Sequence, residues 1–134
     1  MKRREFLRAG CVAGIGLAGT CLLMTGCKIV HVNESVGEIK APLLKFKNSN
    51  ALIIDTQKKG KIIVLKKTEN TFKALSMQCT HKGVLLQQEN NLLVCPSHGS
   101  VFDLDGHVKS APAREPLHSY LVTIRGTEIV IKLL

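Results

Sequence analysis

The chain has 134 residues, a formal charge of +9 and five cysteines, with one Tyr and no Trp. That length accommodates one domain and an N-terminal appendage, and it leaves no room for a second large hydrophobic core. A basic chain with so few aromatic rings has no stacking platform for bases, which argues against nucleic-acid binding.

From Cys27 onward, fifteen Lys and Arg stand against nine Asp and Glu. They are almost all Lys and they are scattered (Lys45, Lys47, Lys58, Lys59, Lys61, Lys66, Lys67). Such a surface is either merely soluble or turned toward an acidic partner or anionic lipid. With so small a core and so few rings, a cofactor acting as a covalent staple would help the fold.

The chain opens with Lys2-Arg3-Arg4-Glu5-Phe6-Leu7-Arg8 and then runs apolar and Gly-rich from Ala9 to Met24. A basic stretch followed by an apolar one is an export signal and is left out of fold reasoning. Arg3-Arg4 followed at once by Glu5-Phe6-Leu7 resembles the twin-arginine signal, whose route carries proteins already folded. Met24-Thr25-Gly26-Cys27 resembles a lipobox, which would leave a lipidated Cys27. The other reading is a retained anchor helix from about Ala9 to Val30, near the ~20 residues a bilayer needs, although Lys28 and five glycines weaken it. Both tether the body to the outer face of the cytoplasmic membrane, with residues 1–26 as signal or anchor, 27–37 as a polar tether and 38–134 as the domain. Cys11 and Cys21 fall in the leader, so no disulfide framework is expected.

From Glu38 the pattern is β. Ala51-Leu52-Ile53-Ile54 and Ile62-Ile63-Val64-Leu65 are short apolar runs, set off by Lys58-Lys59-Gly60 and Glu69-Asn70. Thr71 to Met77 reads as a strand entering a loop at Cys79. Val84-Leu85-Leu86 and Leu92-Leu93-Val94 are expected to pair across Glu89-Asn90-Asn91. Val101-Phe102-Asp103 and His107-Val108-Lys109 flank the turn Asp105-Gly106. Two closing strands, Tyr120 to Ile124 and Glu128 to Lys132, surround Arg125-Gly126. The class is all-β, an antiparallel sandwich or small barrel.

Two short stretches carry the chemistry. Cys79-Thr80-His81 and Cys95-Pro96-Ser97-His98 place two thiols and two imidazoles in two loops, thirteen residues apart. Cys and His are the donors that borderline and soft transition metals select. Zinc fingers generally draw both thiols from one knuckle and both imidazoles from another element. Here each loop supplies one of each, which suits a dinuclear centre with thiolates on one metal and imidazoles on the other. A mononuclear zinc site in the same four residues is the alternative. His31, His107 and His118 lie outside the pattern and read as solvated or structural, and Tyr120 reads as core.

The run Cys79-Thr80-His81-Lys82-Gly83, then Cys95-Pro96-Ser97-His98-Gly99-Ser100-Val101-Phe102-Asp103, resembles the two cluster-binding loops of Rieske iron–sulfur domains. The likeness extends through Asp105-Gly106 and Pro112…Pro116, similar to the segment that covers the cluster in that family. It implies a [2Fe-2S] cluster with Cys79 and Cys95 on one iron, His81 and His98 on the other, and Ser100 donating to a bridging sulfide. It implies a Rieske-like fold with a small cluster-binding subdomain.

Quinol-oxidising members carry two further cysteines that tie the loops, where this chain has Val84 and Ser97. High-potential members often have Tyr at the position of Phe102. One donor to sulfur kept and one missing implies a reduction potential inside the ~−150 to +300 mV family range, below its upper end. The function implied is one-electron transfer by an exported, membrane-tethered carrier to or from a redox partner, a cytochrome or an oxidoreductase complex. The alternatives are the iron–sulfur subunit of a quinol–cytochrome c oxidoreductase, with His81 or His98 accepting a quinol hydrogen bond, and the Rieske subunit of another periplasmic oxidoreductase.

Overall fold

Ile62 to Leu65 form an apolar run with no polar residue to mark a solvent face, and the arrangement of sheets explains why. In the computed structural model, which describes residues 29–31, 34–35 and 37–133, this run lies in β5, a strand covered on both sides. Twelve strands are described: β1 Ile29–His31, β2 Glu34–Ser35, β3 Glu38–Pro42, β4 Ala51–Thr56, β5 Gly60–Thr68, β6 Thr71–Ser76, β7 Gln87–Glu89, β8 Leu92–Val94, β9 Val101–Asp103, β10 Val108–Ser110, β11 Ser119–Arg125 and β12 Glu128–Lys132. A 3₁₀ turn, Leu43–Phe46, follows β3 and buries Phe46. The leader, the twin-arginine-like run and Cys27 lie outside the described residues.

Eight strands form one curled sheet in the order β1-β4-β5-β6-β11-β12-β3-β2, and four form a smaller sheet in the order β10-β9-β8-β7. Successive strand side chains face opposite ways, so β5 sends Ile62 and Val64 into one core and Ile63 and Leu65 into a second. The first core fills the curl of the large sheet with Ile39, Ala41, Leu52, Ile54, Ala74, Tyr120, Ile129 and Ile131. Phe46 and Phe72 close it edge to face at 5.0 Å between ring centroids. The second lies between the large sheet and the small one and contains Leu75, Met77, Cys79, Leu86, Leu93, Cys95, Phe102, Ala113 and Leu117. Both cysteines that the sequence marks as metal donors are thus walls of an apolar core.

The expected all-β fold is present, with differences in detail. The partner of Leu92–Val94 is Gln87–Glu89, not Val84–Leu86. Val84 and Leu86 instead pack into the second core, and the pairing is closed by Asn90, whose φ of +52° suits a tight turn. Residues 29–31 and 34–35, within the stretch read as tether, add edge strands, and β1 joins β4 in parallel rather than antiparallel fashion. Gly106 meets its expected role in the Asp105-Gly106 turn. It has φ +90°, and a Cβ there would sit 3.1 Å from Leu75 Cδ2.

The β9–β10 connection is held by a carboxylate. Asp103 Oδ1 accepts the N–H groups of Asp105 and His107, each at 2.9 Å, and Oδ2 lies 3.3 Å from His107 Nδ1. Burial of this group opposes ionisation, but the two N–H donors and the imidazole outweigh it and lower the carboxyl pKa. A carboxylate whose folded pKa lies below its unfolded value, about 3.9 for Asp, stabilises the protein above that value. The contribution disappears as pH falls through the folded pKa. Asp103→Asn is therefore expected to cost on the order of 1 kcal/mol at pH 7 and less at pH 3, below the unfolded value. Urea denaturation of the pair at the two pH values checks this.

Candidate metal centre

Each of the two Cys- and His-bearing loops is a six-residue excursion between two ladder partners, and the two are built alike. Gln78 pairs with Leu85 around the first, and Val94 pairs with Val101 around the second. In the first, the Cys79 N–H donates to the Val84 carbonyl at 2.8 Å and the Gly83 N–H to the Cys79 carbonyl at 2.7 Å. In the second, the Cys95 N–H donates to the Ser100 carbonyl at 2.8 Å and the Gly99 N–H to the Cys95 carbonyl at 3.0 Å. The fifth residue of each loop takes a left-handed backbone, Gly83 at φ +71° and Gly99 at +78°. A Cβ at either would meet nothing within 4 Å. The left-handed backbone angle calls for glycine there.

This shared geometry sorts the four donors by kind. Cys79 and Cys95 start their loops and are each 2 % exposed, within the second core. His81 and His98 stand at the exposed tips with ring centroids 5.1 Å apart and planes at 82°. The donors are gathered as a buried thiol pair and an exposed imidazole pair. No group of three or more such side chains converges on a single point among the described residues. Burial disfavours a thiolate at Cys95, but the backbone N–H groups of Ser97 and His98 and a hydrogen bond with the Cys79 side chain overcome it and lower the pKa. Donors aimed at sulfur favour the charge a metal-bound thiolate carries.

A third element covers both loops. The segment from Ala111 to Leu117 runs over them and is tied to each by one hydrogen bond. The Thr80 hydroxyl donates to the Glu115 carbonyl at 2.8 Å, and the Ala113 N–H donates to Ser100 Oγ at 3.0 Å. Ser100 is wholly buried. Its oxygen is engaged as an acceptor, so its proton is available to a group on the thiol side. The Thr80 tie was not foreseen in the sequence. A Thr between two metal donors is the one cue, and it does not name its partner. Phe102 is fully buried beneath the loops. His107 pairs with Asp103, and His118 stacks edge to face on Tyr120, with centroids 4.6 Å apart. Neither joins the four donors.

The model of the Rieske [2Fe-2S] domain family matches residues 44–121, more than half of the chain. The chain is 37 % identical over 73 residues to the cytochrome b6-f complex iron-sulfur subunit of Chlorobaculum thiosulfatiphilum, a match covering 53 % of this chain and 40 % of that protein. It thus spans well under half the length of this curated relative. Among solved structures, it is similar to the plasma membrane Rieske protein PetC3 of Synechocystis PCC 6803, at 29 % identity and a TM-score of 0.58, over 68 % of this chain and 94 % of that one. The ferredoxin of Sphingomonas yanoikuyae B1, at 24 % identity and a TM-score of 0.52 over 68 % and 92 % of the two chains, shares the fold. With the family model matching more than half of its length, the chain belongs to the Rieske family, whose domain binds a [2Fe-2S] cluster.

Proposed function

We propose that the chain is an exported, membrane-tethered electron carrier whose cluster is held by Cys79, His81, Cys95 and His98. The observation that carries this reading is the sorting of the donors, thiols inward and imidazoles outward. Such a set fits a centre with one iron bound by sulfur and the other by nitrogen, and it fits a single tetrahedral zinc poorly, because zinc needs all four donors around one point. When bound, the cluster supplies one-electron redox chemistry.

The chain's own residues do the rest. The second core keeps water from the sulfur side. The N–H groups of Ser97 and His98 direct partial positive charge at Cys95. The exposed imidazole edge is the shortest path to a partner. This domain offers a conduit for electrons and makes no bond in a substrate.

Export and tethering rest on the leader alone: the Arg3-Arg4 signal and the alternative anchors, lipidated Cys27 or a retained helix. No helix among the described residues is long and apolar enough to cross a membrane. The site would then lie on the periplasmic side, at the outer face of the cytoplasmic membrane. A second reading, as the iron–sulfur subunit of a larger oxidoreductase with quinol as donor, is favoured by the likeness to b6-f iron-sulfur subunits. The Val84 and Ser97 positions, where a loop-tying disulfide would sit, favour the free carrier. Purification from detergent-solubilised membranes separates the two: a stable cytochrome b companion identifies the subunit, and its absence from an EPR-active preparation identifies the carrier.

Ser100 is the proposed donor to a bridging sulfide. Ser100→Ala is expected to lower the reduction potential by about 60 mV, the one-electron equivalent of a hydrogen bond to a charged acceptor near 1.4 kcal/mol. It also strips the buried Ala113 N–H of its acceptor, so the covering segment should loosen. Potentiometric titration followed by EPR measures the first effect.

A further inference from the structure

Five basic side chains are placed at the cluster-binding end of the molecule, and none is in an ion pair among the described residues. The four ion pairs there are Lys66–Glu69, Lys67–Asp105, His107–Asp103 and Arg125–Glu38. Left over are Lys58, Lys59, Lys61, Lys82 and Arg114. Lys82 follows His81 in the first loop and is exposed. Arg114, also exposed, lies between Ala113 and Glu115, the two residues tied to the second and first loops.

Lys58 and Lys59 form the turn between β4 and β5, and register places that turn beside the first loop. β5 begins next to the end of β6, with Ile62 opposite Ser76 and the Met77 N–H on the Lys61 carbonyl at 2.9 Å. A Cβ on Gly60 would lie 2.9 Å from the Gln78 side chain, one residue before Cys79. Two carboxylates share this end, Asp55 opposite Lys61 and Glu115 beside Arg114. Five cations against two anions leave the surroundings of the exposed imidazoles strongly positive.

We infer that this end is a docking face for a redox protein whose own surface is rich in carboxylates, and that Lys58, Lys59 and Lys82 select it. The inference rests on the electron-carrier reading and adds the chemistry of the partner. Charges that border an electron-exchange edge raise the encounter rate with oppositely charged partners, an effect that salt screens. Lysines remote from that edge act only through the net charge. The molecule contains the matched control: Lys45 and Lys47 lie in and just after the 3₁₀ turn, which is tied by the Leu43 N–H to Thr127 in the β11–β12 turn. β11 starts at Ser119 beside Leu75, near the site, and runs away from it to that turn.

The test uses the full, cluster-loaded chain in non-ionic detergent at ~10 mM ionic strength, where the Debye length is about 30 Å. The reduced chain passes one electron to hexacyanoferrate(III), giving hexacyanoferrate(II) and the oxidised chain, and stopped-flow absorbance follows the rate. Polyglutamate serves as the carboxylate-rich competitor. Lys58→Glu/Lys59→Glu is expected to slow oxidation about tenfold and to abolish inhibition by polyglutamate. Lys45→Glu/Lys47→Glu, with the same change in net charge, is expected to slow it less than about twofold and to keep the inhibition.

Equal losses from the two pairs, or none from either, would overturn the inference while the EPR signal of the cluster left the carrier reading intact. Loss of that signal in the parent chain would remove both. Phosphatidylglycerol vesicles that shield Lys58 and Lys59 from acetylation, without any effect of the pair on the rate, would assign the face to the membrane and overturn a protein partner.

Discussion

Cys95→Ser is expected to yield a colourless protein, with iron and acid-labile sulfide at background against two irons per chain in the parent. A serine hydroxyl is a hard donor of high pKa and does not replace a thiolate that the Ser97 and His98 N–H groups already favour. The same loss follows from Cys79→Ser, and the two together are no worse than either, because the donors act as a unit. The large sheet should survive. Its core draws on neither cysteine nor on the small sheet, so amides of β3, β4 and β12 keep their exchange protection. Those of β8 and β9 exchange roughly tenfold faster or more, since the walls of the second core have lost their staple. Iron and sulfide assay with hydrogen exchange on the purified variant reads both effects. A brown Cys95→Ser protein with a normal EPR signal would contradict the assigned ligation.

Phe102→Ala has the second large effect, on stability. Phe102 has no exposed surface and sits in the middle of β9, against Leu93 of the neighbouring strand. Truncation to Ala removes the whole ring from a site that the two sheets hold open, and such changes cost about 3–5 kcal/mol. Against a total of about 5–15 kcal/mol for a domain of this class, that is a large share. The melting temperature of the loaded protein should fall by at least ~12 °C. Phe102→Tyr, by contrast, keeps the volume, and differential scanning calorimetry of the two variants separates packing from hydroxyl chemistry.

The family was readable before the fold because alternation of Cys and His in two loops is rare and its chemistry restrictive. The strands β4, β5, β11 and β12 were also legible, since each carries several β-branched or aliphatic residues and each pair is joined by a turn that contains Gly. β7 was not. Gln87-Gln88-Glu89 pairs through its backbone at an edge of the small sheet, where side chains need not be apolar, whereas Val84 and Leu86 look like a strand but serve as filling under a metal loop. The edge pairings of residues 29–31 and 34–35 were hidden for a related reason. Residues 29–31 are held by partners distant in sequence, Ile53 to Asp55, and the two-residue strand 34–35, paired with Glu38 and Ile39, is too short to show a period. The ties from Thr80 to Glu115 and from Ser100 to Ala113 span thirty-five and thirteen residues, beyond the reach of spacing rules. The second core is the clearest case of a feature seen only in three dimensions: β5 reads as one hydrophobic run, and its division between two interiors depends on the small sheet that covers its second face.

The inward-facing thiols and outward-facing imidazoles give the proposed carrier a single doorway. A partner that delivers an electron and one that collects it would then compete for that same rim. Throughput then depends on how quickly the first visitor departs. An excess of either visitor should slow turnover in the manner of a competitive inhibitor, and a tether long enough to swing between the two would be worth more than a tighter grip on either.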